Sequence, residues 1–353
     1  MKKTAVAVAA SALAVLFAAP AQALETDANL YGDFRLSLGY FDSDATQRDT
    51  DIDNNNSHGG LRVLVREGDL AAFVQYERLL DNDNGTSDGE LTRQFFGGVV
   101  TEYGTLGYGR QATAYKLAGQ KLDPFYNTSV AGISGAVGTL NGASYGQSAL
   151  TNDSVGSGFI NNQIAYVSPS LHGLTLNAAV FVDDGEGDAE EHDYAAGAEY
   201  AIEGITLGVQ ALGITSGSVD GSVANFSNIG LTGPAVELNA VRYYGAYATE
   251  NWGVGASYET LDLKAGLPDR EYGFVSAWYG LTDKLRIAAA YGHTEDTPFE
   301  GDGYTLGASY TFLPNLNVYL AGRFVERDNA AAQPSDTTTA ALGVSYTFDL
   351  DLN

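Results

Sequence analysis

Ser57 and His58 stand side by side, with Asp51 and Asp53 just before them. These are the residue types of a hydroxyl nucleophile, its base and an orienting carboxylate. Adjacent residues of an extended chain point to opposite faces, so this pair is badly placed for hydrolysis. His172, His192 and His293 have no second ligand at metal-binding spacing, which leaves zinc unsupported. Asp49, Asp51 and Asp53, and the run Asp183, Asp184, Glu186 and Asp188, offer clustered oxygens of the kind calcium uses. Position twelve counted from Asp49 is Gly60 rather than glutamate, so the EF-hand pattern fails and solvated loop charge explains both runs. Arg35, Arg62 and Arg93 are different, because they fall on or near the polar faces of alternating segments, with Glu77 as a carboxylate partner. Charges so placed make the field of a pore wall. No catalytic, cofactor or metal site is expected.

The segments carrying these arginines alternate with a period of two. Leu30, Gly32, Phe34, Leu36, Leu38 and Tyr40 fall on one face, and Tyr31, Asp33, Arg35, Ser37 and Gly39 on the other. Leu61, Val63 and Val65 likewise oppose Gly60, Arg62, Leu64 and Arg66. Strands with one apolar and one polar face have this signature. Sixteen such segments are expected, from 29–41 and 58–66 through to 337–348. Tight turns such as Glu67–Asp69 and Glu203–Gly204 alternate with long connections such as Asp42–Ser57, Asp81–Glu90 and Asp183–His192. A soluble sandwich has no reason to sort its connections by length, whereas a transmembrane barrel has short turns at one end and long loops at the other. Tyr40, Phe41, Trp252, Trp278, Tyr279, Tyr346 and Phe348 lie near strand ends and suit the aromatic girdles of such a barrel.

The longest connection, approximately 111–158, is rich in Gly, Ser, Thr, Asn and Ala and carries only Lys116, Lys121, Asp123 and Asp153 as charges. Disorder comes with charge and few aromatics, but this stretch keeps Tyr115, Phe125, Tyr126 and Tyr145. It reads as a constriction held inside a wide barrel. At the other extreme, residues 1–23 read as a signal peptide: two lysines, an apolar run from Ala5 to Ala19, then Ala21-Gln22-Ala23. Residues 24–353 then form one barrel domain. A net charge of −26 excludes nucleic acid as a partner, since phosphates need Lys and Arg. Cysteine is absent, so no disulfide framework is available.

Several motifs resemble the general diffusion porins of Gram-negative outer membranes. They are Leu30-Tyr31-Gly32 with the run to Tyr40, Thr92-Arg93 through Gly97, Tyr103 through Arg110, and Asn162 through Pro169 followed by Gly173-Leu174-Thr175. The resemblance covers nearly all the chain after residue 23. It implies an all-β fold, a 16-stranded antiparallel transmembrane β-barrel with the long third loop folded into the lumen. It also implies a homotrimer set in outer-membrane lipid and lipopolysaccharide, passing small hydrophilic solutes and ions. In that family the loop opposes a basic ladder: Arg93 matches one rung and Arg62 a basic position on the second strand. His58 stands where arginine is common, and Phe159 and Asn161 occupy the region of another rung. Asp123-Pro124-Phe125 resembles the loop's acidic tip. The family usually ends in an aromatic residue, and here the chain departs from it, since Phe348 is followed by Asp349 to Asn353. The expected constriction therefore comprises Arg35, His58, Arg62, Glu77, Arg93 and Asp123.

Charge placement adds an expectation of mild cation preference, since Asp183–Asp193 holds seven carboxylates without Lys or Arg. A substrate-specific channel is the alternative reading; a barrel enzyme, needing catalytic groups at one rim, and an adhesin, needing a filled lumen, are weaker ones.

Overall fold

The computed structural model describes residues 24–43, 49–80, 92–126, 128–130, 159–182, 193–215, 237–263, 269–295, 300–327 and 336–352. The expected signal peptide over residues 1–23 and the acidic stretches Asp81–Glu90 and Asp183–His192 lie outside the described residues. The elements in order are β1 (Glu25–Ser43), β2 (Asp49–Asn54), β3 (His58–Glu67), β4 (Leu70–Leu79), β5 (Thr92–Thr101), β6 (Gly104–Ala112), α1 (Ala114–Gln120), β7 (Phe159–Val167), β8 (Leu174–Phe181), β9 (Asp193–Ile202), β10 (Ile205–Thr215), β11 (Glu237–Ala248), β12 (Trp252–Leu263), β13 (Arg270–Gly280), β14 (Leu285–Glu295), β15 (Gly301–Leu313), β16 (Leu316–Arg327) and β17 (Asp336–Asp351).

From β3 to β17 each strand pairs antiparallel with the next, and β1 closes the sheet by pairing with β17. On its other edge β1 meets β3 along Glu25–Asp33 and β2 along Leu36–Phe41. β2 and β3 are thus one stave broken at Asn55–Ser57, which makes a closed barrel of sixteen staves. Closure leaves no edge strand with unpaired backbone groups, the condition for sheet structure in hydrocarbon.

The period-two reading holds along the wall. Leu30, Phe34 and Leu38 of β1, Leu174, Leu176 and Val180 of β8 and Tyr304, Leu306 and Tyr310 of β15 are exposed, forming an apolar outer face. Ser37, Glu77, Arg93, Arg242, Glu259, Thr305 and Arg323 alternate with that set and are buried. Mid-membrane hydrocarbon charges ~2–4 kcal/mol for an outward arginine, which explains the sorting.

Four expectations need correction. The connection expected over Asp42–Ser57 contains β2, because Asp49–Asn54 takes up the register left free by β1. The connection expected from Gln111 begins with structure of its own, the helix α1, whose N-cap Thr113 accepts from Lys116 N. The residues beyond Phe348 extend the last strand, with Leu350 opposite Leu30 and Leu352 N donating to Ala28 O. Trp278 does not join an outer girdle: it alternates with exposed Val275 and Tyr279, and Arg286 Cζ lies 4.1 Å from its ring.

Candidate channel constriction

The break in the β2–β3 stave is made by side chains that replace strand hydrogen bonds. Ser57 Oγ accepts from Arg35 N at 2.7 Å and donates to Arg35 O at 2.8 Å, doing the work of a backbone partner. Asn54 Oδ1 accepts from Ser57 N at 3.0 Å. Asn56 takes φ of 57°, the left-handed region in which asparagine is among the better-tolerated residues. Its carbonyl, turned out of the ladder, lies 2.7 Å from His58 Nδ1 and accepts from Arg93 Nη1 at 3.2 Å. A local irregularity of the wall therefore positions two of the expected constriction residues.

Glu77 is the hub of the group. Its carboxylate lies 2.9 Å from Arg93 Nε and 3.8 Å from His58 Nε2, and accepts from Tyr31 OH at 3.1 Å and Gln94 Nε2 at 3.2 Å. The Arg93 contact is an ion pair rather than an aligned hydrogen bond at Nε. Arg35 is paired to Asp33 at 2.7 Å and donates to Tyr126 O at 3.2 Å. Phe159, standing where the resemblance expects a cation, offers its ring to two: Arg93 Cζ at 4.9 Å and Lys116 Nζ at 4.6 Å. Burial, then the nearby Arg93, hold the Lys116 ammonium well below the usual lysine range, with Glu77 acting in the opposite sense.

Residues 113–130 meet the wall at many points. Arg242 Nη1 donates to Tyr115 O at 2.7 Å, and the Tyr115 hydroxyl donates to Glu259, which is ion-paired to Arg242. Lys121 Nζ contacts Glu199 of β9 at 2.6 Å, and Ser276 Oγ of β13 donates to Leu122 O at 2.5 Å. Leu122, Phe125 and Val130 pack with Tyr244, Phe274, Ala290, Ala321 and Ala341. Ser129 Oγ lies 3.1 Å from Ser37 Oγ of β1.

Between this segment and the wall remains a cavity of about 440 Å³, its polar part formed by Asp33, Arg35, His58, Glu77 and Arg93 and its far side by Leu117, Gln120 and Tyr126. Four of the six expected residues thus come together there. Arg62 is not among them: it stacks on Tyr31 at 5.2 Å and donates to Gln75. Asp123 is buried, and its Oδ1 accepts from Phe125 N at 2.8 Å, shaping the turn after α1. Asp33, Tyr126 and the Asn56 carbonyl were not among the expected constriction residues. The run Asn54-Asn55-Asn56-Ser57, residue types that favour turns and tolerate the left-handed region, is the signal that could have exposed the carbonyl.

The family model described as Gram-negative porin matches residues 7–330. No curated protein matches the chain. Among solved structures, the anion-selective porin from Comamonas acidovorans aligns with a TM-score of 0.72 at 14% identity, covering 92% of this chain and 100% of its own. The trimer form of OmpT, an outer membrane protein of Vibrio cholerae, gives 0.63 at 16% identity, with 92% and 99% covered. OmpF of Salmonella typhi, in complex with daunomycin, gives 0.62 at 17% identity, with 91% and 97% covered. The structural likenesses speak for the fold and the family match for descent; together they place this chain in the Gram-negative porin family, as an outer-membrane channel protein.

Proposed function

We propose that residues 113–130 cross the lumen and narrow it, so that solutes pass by way of the cavity between Arg35, His58, Glu77 and Arg93 on one side and Leu117, Gln120 and Tyr126 on the other. The observation that carries this reading is the spread of contacts from one short segment. Lys121 reaches β9, Leu122 reaches β13, and Tyr126 and Ser129 reach β1. A segment tied to strands so far apart around a closed wall, through their non-lipid face, spans the interior. The passage carries small hydrophilic solutes and ions by diffusion.

The channel is mildly cation-preferring. Two arginines line the passage, but each is neutralised by a neighbour, Arg35 by Asp33 and Arg93 by Glu77. That leaves the strongly acidic chain to set the sign of the field at the mouths. The working unit is a homotrimer in lipopolysaccharide-containing membrane, as the trimer form of the Vibrio cholerae neighbour supports. Planar-bilayer recording tests the selectivity: a tenfold KCl gradient should give a reversal potential of cation sign at low salt. A clear anion sign there refutes the preference, and absence of stepwise conductance refutes the open pore. Native mass measurement in mild detergent tests the trimer, which monomers alone would exclude.

A further inference from the structure

Trp278 and Arg286 form a stack on the inner wall, outside the cavity lined by Arg35, Glu77 and Arg93. Arg286 Cζ lies 4.1 Å from the indole centroid, and the indole lies over Gly253, its register partner on β12. A Cβ at Gly253 would fall 2.5 Å from Trp278 Nε1, so glycine there is what lets the ring lie against the wall. Alternation places the stack just beside the 113–130 segment, on the side of the short turns. Ser276 and Ala288, the neighbouring inward positions of β13 and β14, both touch that segment, Ser276 through Leu122 O and Ala288 through the apolar cluster around Leu122 and Phe125. Trp278 and Arg286 are the next inward positions toward the turn at 281–284.

Arg286 is exposed and, among the described residues, has no carboxylate partner, unlike Arg35, Arg93 and Arg242. Asp283 and Lys284 in the adjoining turn are of opposite sign, so Arg286 sets the local charge. The indole holds the guanidinium in place, and a fork of N–H donors ordered in advance loses less freedom on meeting a carboxylate. Ser309, opposite Arg286 in the β14–β15 register, adds a hydroxyl with no hydrogen-bond partner among the described residues.

We propose that Arg286, held by Trp278, is a lumen subsite for small organic carboxylates, its fork meeting the carboxylate and Ser309 meeting a hydroxyl of the same solute. One uncompensated cation suits a monoanion better than a phosphate dianion. The subsite rests on the reading that solutes pass the 113–130 segment, since this wall is met on that route. It admits organic anions to a channel whose mouths favour cations, and a single exposed guanidinium holds them weakly enough to leave again.

Trp278 reports on the site itself. The chain has two tryptophans, so Trp252→Phe leaves Trp278 as the single indole emitter. Full-length protein of that background, in detergent, is titrated with sodium gluconate against sodium chloride at equal ionic strength. Gluconate should change Trp278 emission saturably, and Arg286→Gln should remove the saturable change. Arg286→Lys, which keeps the charge without the fork, should weaken it about tenfold. Should Arg286→Gln fail to assemble, the lysine variant decides, and a midpoint equal to wild type overturns the proposal. The same response to chloride or to uncharged sorbitol overturns the subsite, as does an assembled Arg286→Gln that titrates like wild type. Inorganic phosphate binding more tightly than gluconate overturns the carboxylate assignment. Single-channel recording of the same preparation keeps the subsite apart from the passage. Conductance steps without an emission response overturn the subsite and leave the passage standing, whereas an emission response in protein that gives no steps overturns the passage and the subsite's transport role together.

Discussion

Arg242 and Glu259 form an ion pair at 2.9 Å in which both side chains are almost wholly shielded from solvent, 0% and 1% exposed. They sit opposite one another in the β11–β12 register, and both hold Tyr115, one through its carbonyl and the other through its hydroxyl. Two charges buried together are tolerable because each offsets the other and Tyr115 supplies a further acceptor to Arg242 and a donor to Glu259. The pair therefore fastens the start of α1 to the wall.

Replacing Arg242 by methionine should strand the Glu259 carboxylate in a dry site, at a cost of about 3–5 kcal/mol. Arg242→Met/Glu259→Met, which removes both charges, should recover much of it. The check is the midpoint of heat-induced mobility change on unboiled gels: a single variant as stable as wild type would contradict the anchoring role.

Lys116 gives a pH dependence of definite sign. Its folded-state pKa is depressed by burial and by Arg93, whereas in the unfolded chain it titrates at about 10.4. Between those values the unfolded state binds more protons, so this residue makes stability rise with pH and leaves its full penalty in place below the depressed pKa. Burial raises Tyr115 and Tyr126 above the usual phenol range, which acts in the opposite direction only above about pH 10. Chemical unfolding between pH 7 and 9.5 should show a positive slope that Lys116→Met flattens; an identical slope in the variant would count against a buried amine.

Gly109 sits at φ of 133°, and a Cβ there would press on Phe95 O and come within 2.8 Å of Phe96 Cα. Both obstacles are backbone or tied to it, so Gly109→Ala should open the β5–β6 ladder next to the start of the 113–130 segment. A Cβ at Gly273 meets nothing within 4 Å. Gly109→Ala should lower the fraction of heat-modifiable barrel at least severalfold while Gly273→Ala leaves it near wild type. Equal assembly of the two would show that the β5–β6 wall can give.

The barrel was legible because lipid on one side and water on the other impose a period of two that Leu30 to Tyr40 or Leu174 to Val180 cannot hide. β2 was not, since Asp49–Asn54 has Ile52 as its single aliphatic residue and its strand character comes from pairing with Leu36–Phe41. α1 is seven residues long, too short for a helical period, and its Thr113 cap has meaning only once the chain before it is known to end a strand. Arg35, Glu77 and Arg93 could be assigned to a polar face from alternation alone. That Glu77 sits beside Arg93 and His58 depends on the register of β3, β4 and β5, and the approach of Tyr126 depends on a contact between residues 91 apart in sequence. Asp123 matched a family position by its neighbours Pro124 and Phe125, yet here its carboxylate turns back onto Phe125 N.

The pairing of Arg93 with Glu77 decides how the passage responds to losing a charge. Both side chains are nearly buried, 7% and 5% exposed, so bulk salt screens them less than it screens the mouths. On the proposed cation preference, their fields cancel at a distance in the intact channel and the remaining asymmetry comes from the acidic surface. Arg93→Ala leaves Glu77 facing the cavity without its ion-pair partner, with His58, Tyr31 and Gln94 in contact and the buried Lys116 amine within its field. An unbalanced carboxylate there attracts cations, and the cation-to-anion permeability ratio in 0.1 M KCl should increase roughly threefold or more. Glu77→Gln leaves Arg93 uncompensated and should move the ratio the other way by a similar factor. Mouth charge fades as the Debye length falls from ~10 Å at 0.1 M to ~3 Å at 1 M, so the wild-type preference should shrink with salt while the two variants stay separated. Reversal potentials at both concentrations distinguish the outcomes. If Arg93→Ala and Glu77→Gln shift selectivity in the same direction, or neither shifts it at 0.1 M, ions do not pass by this pair and the passage lies elsewhere in the barrel.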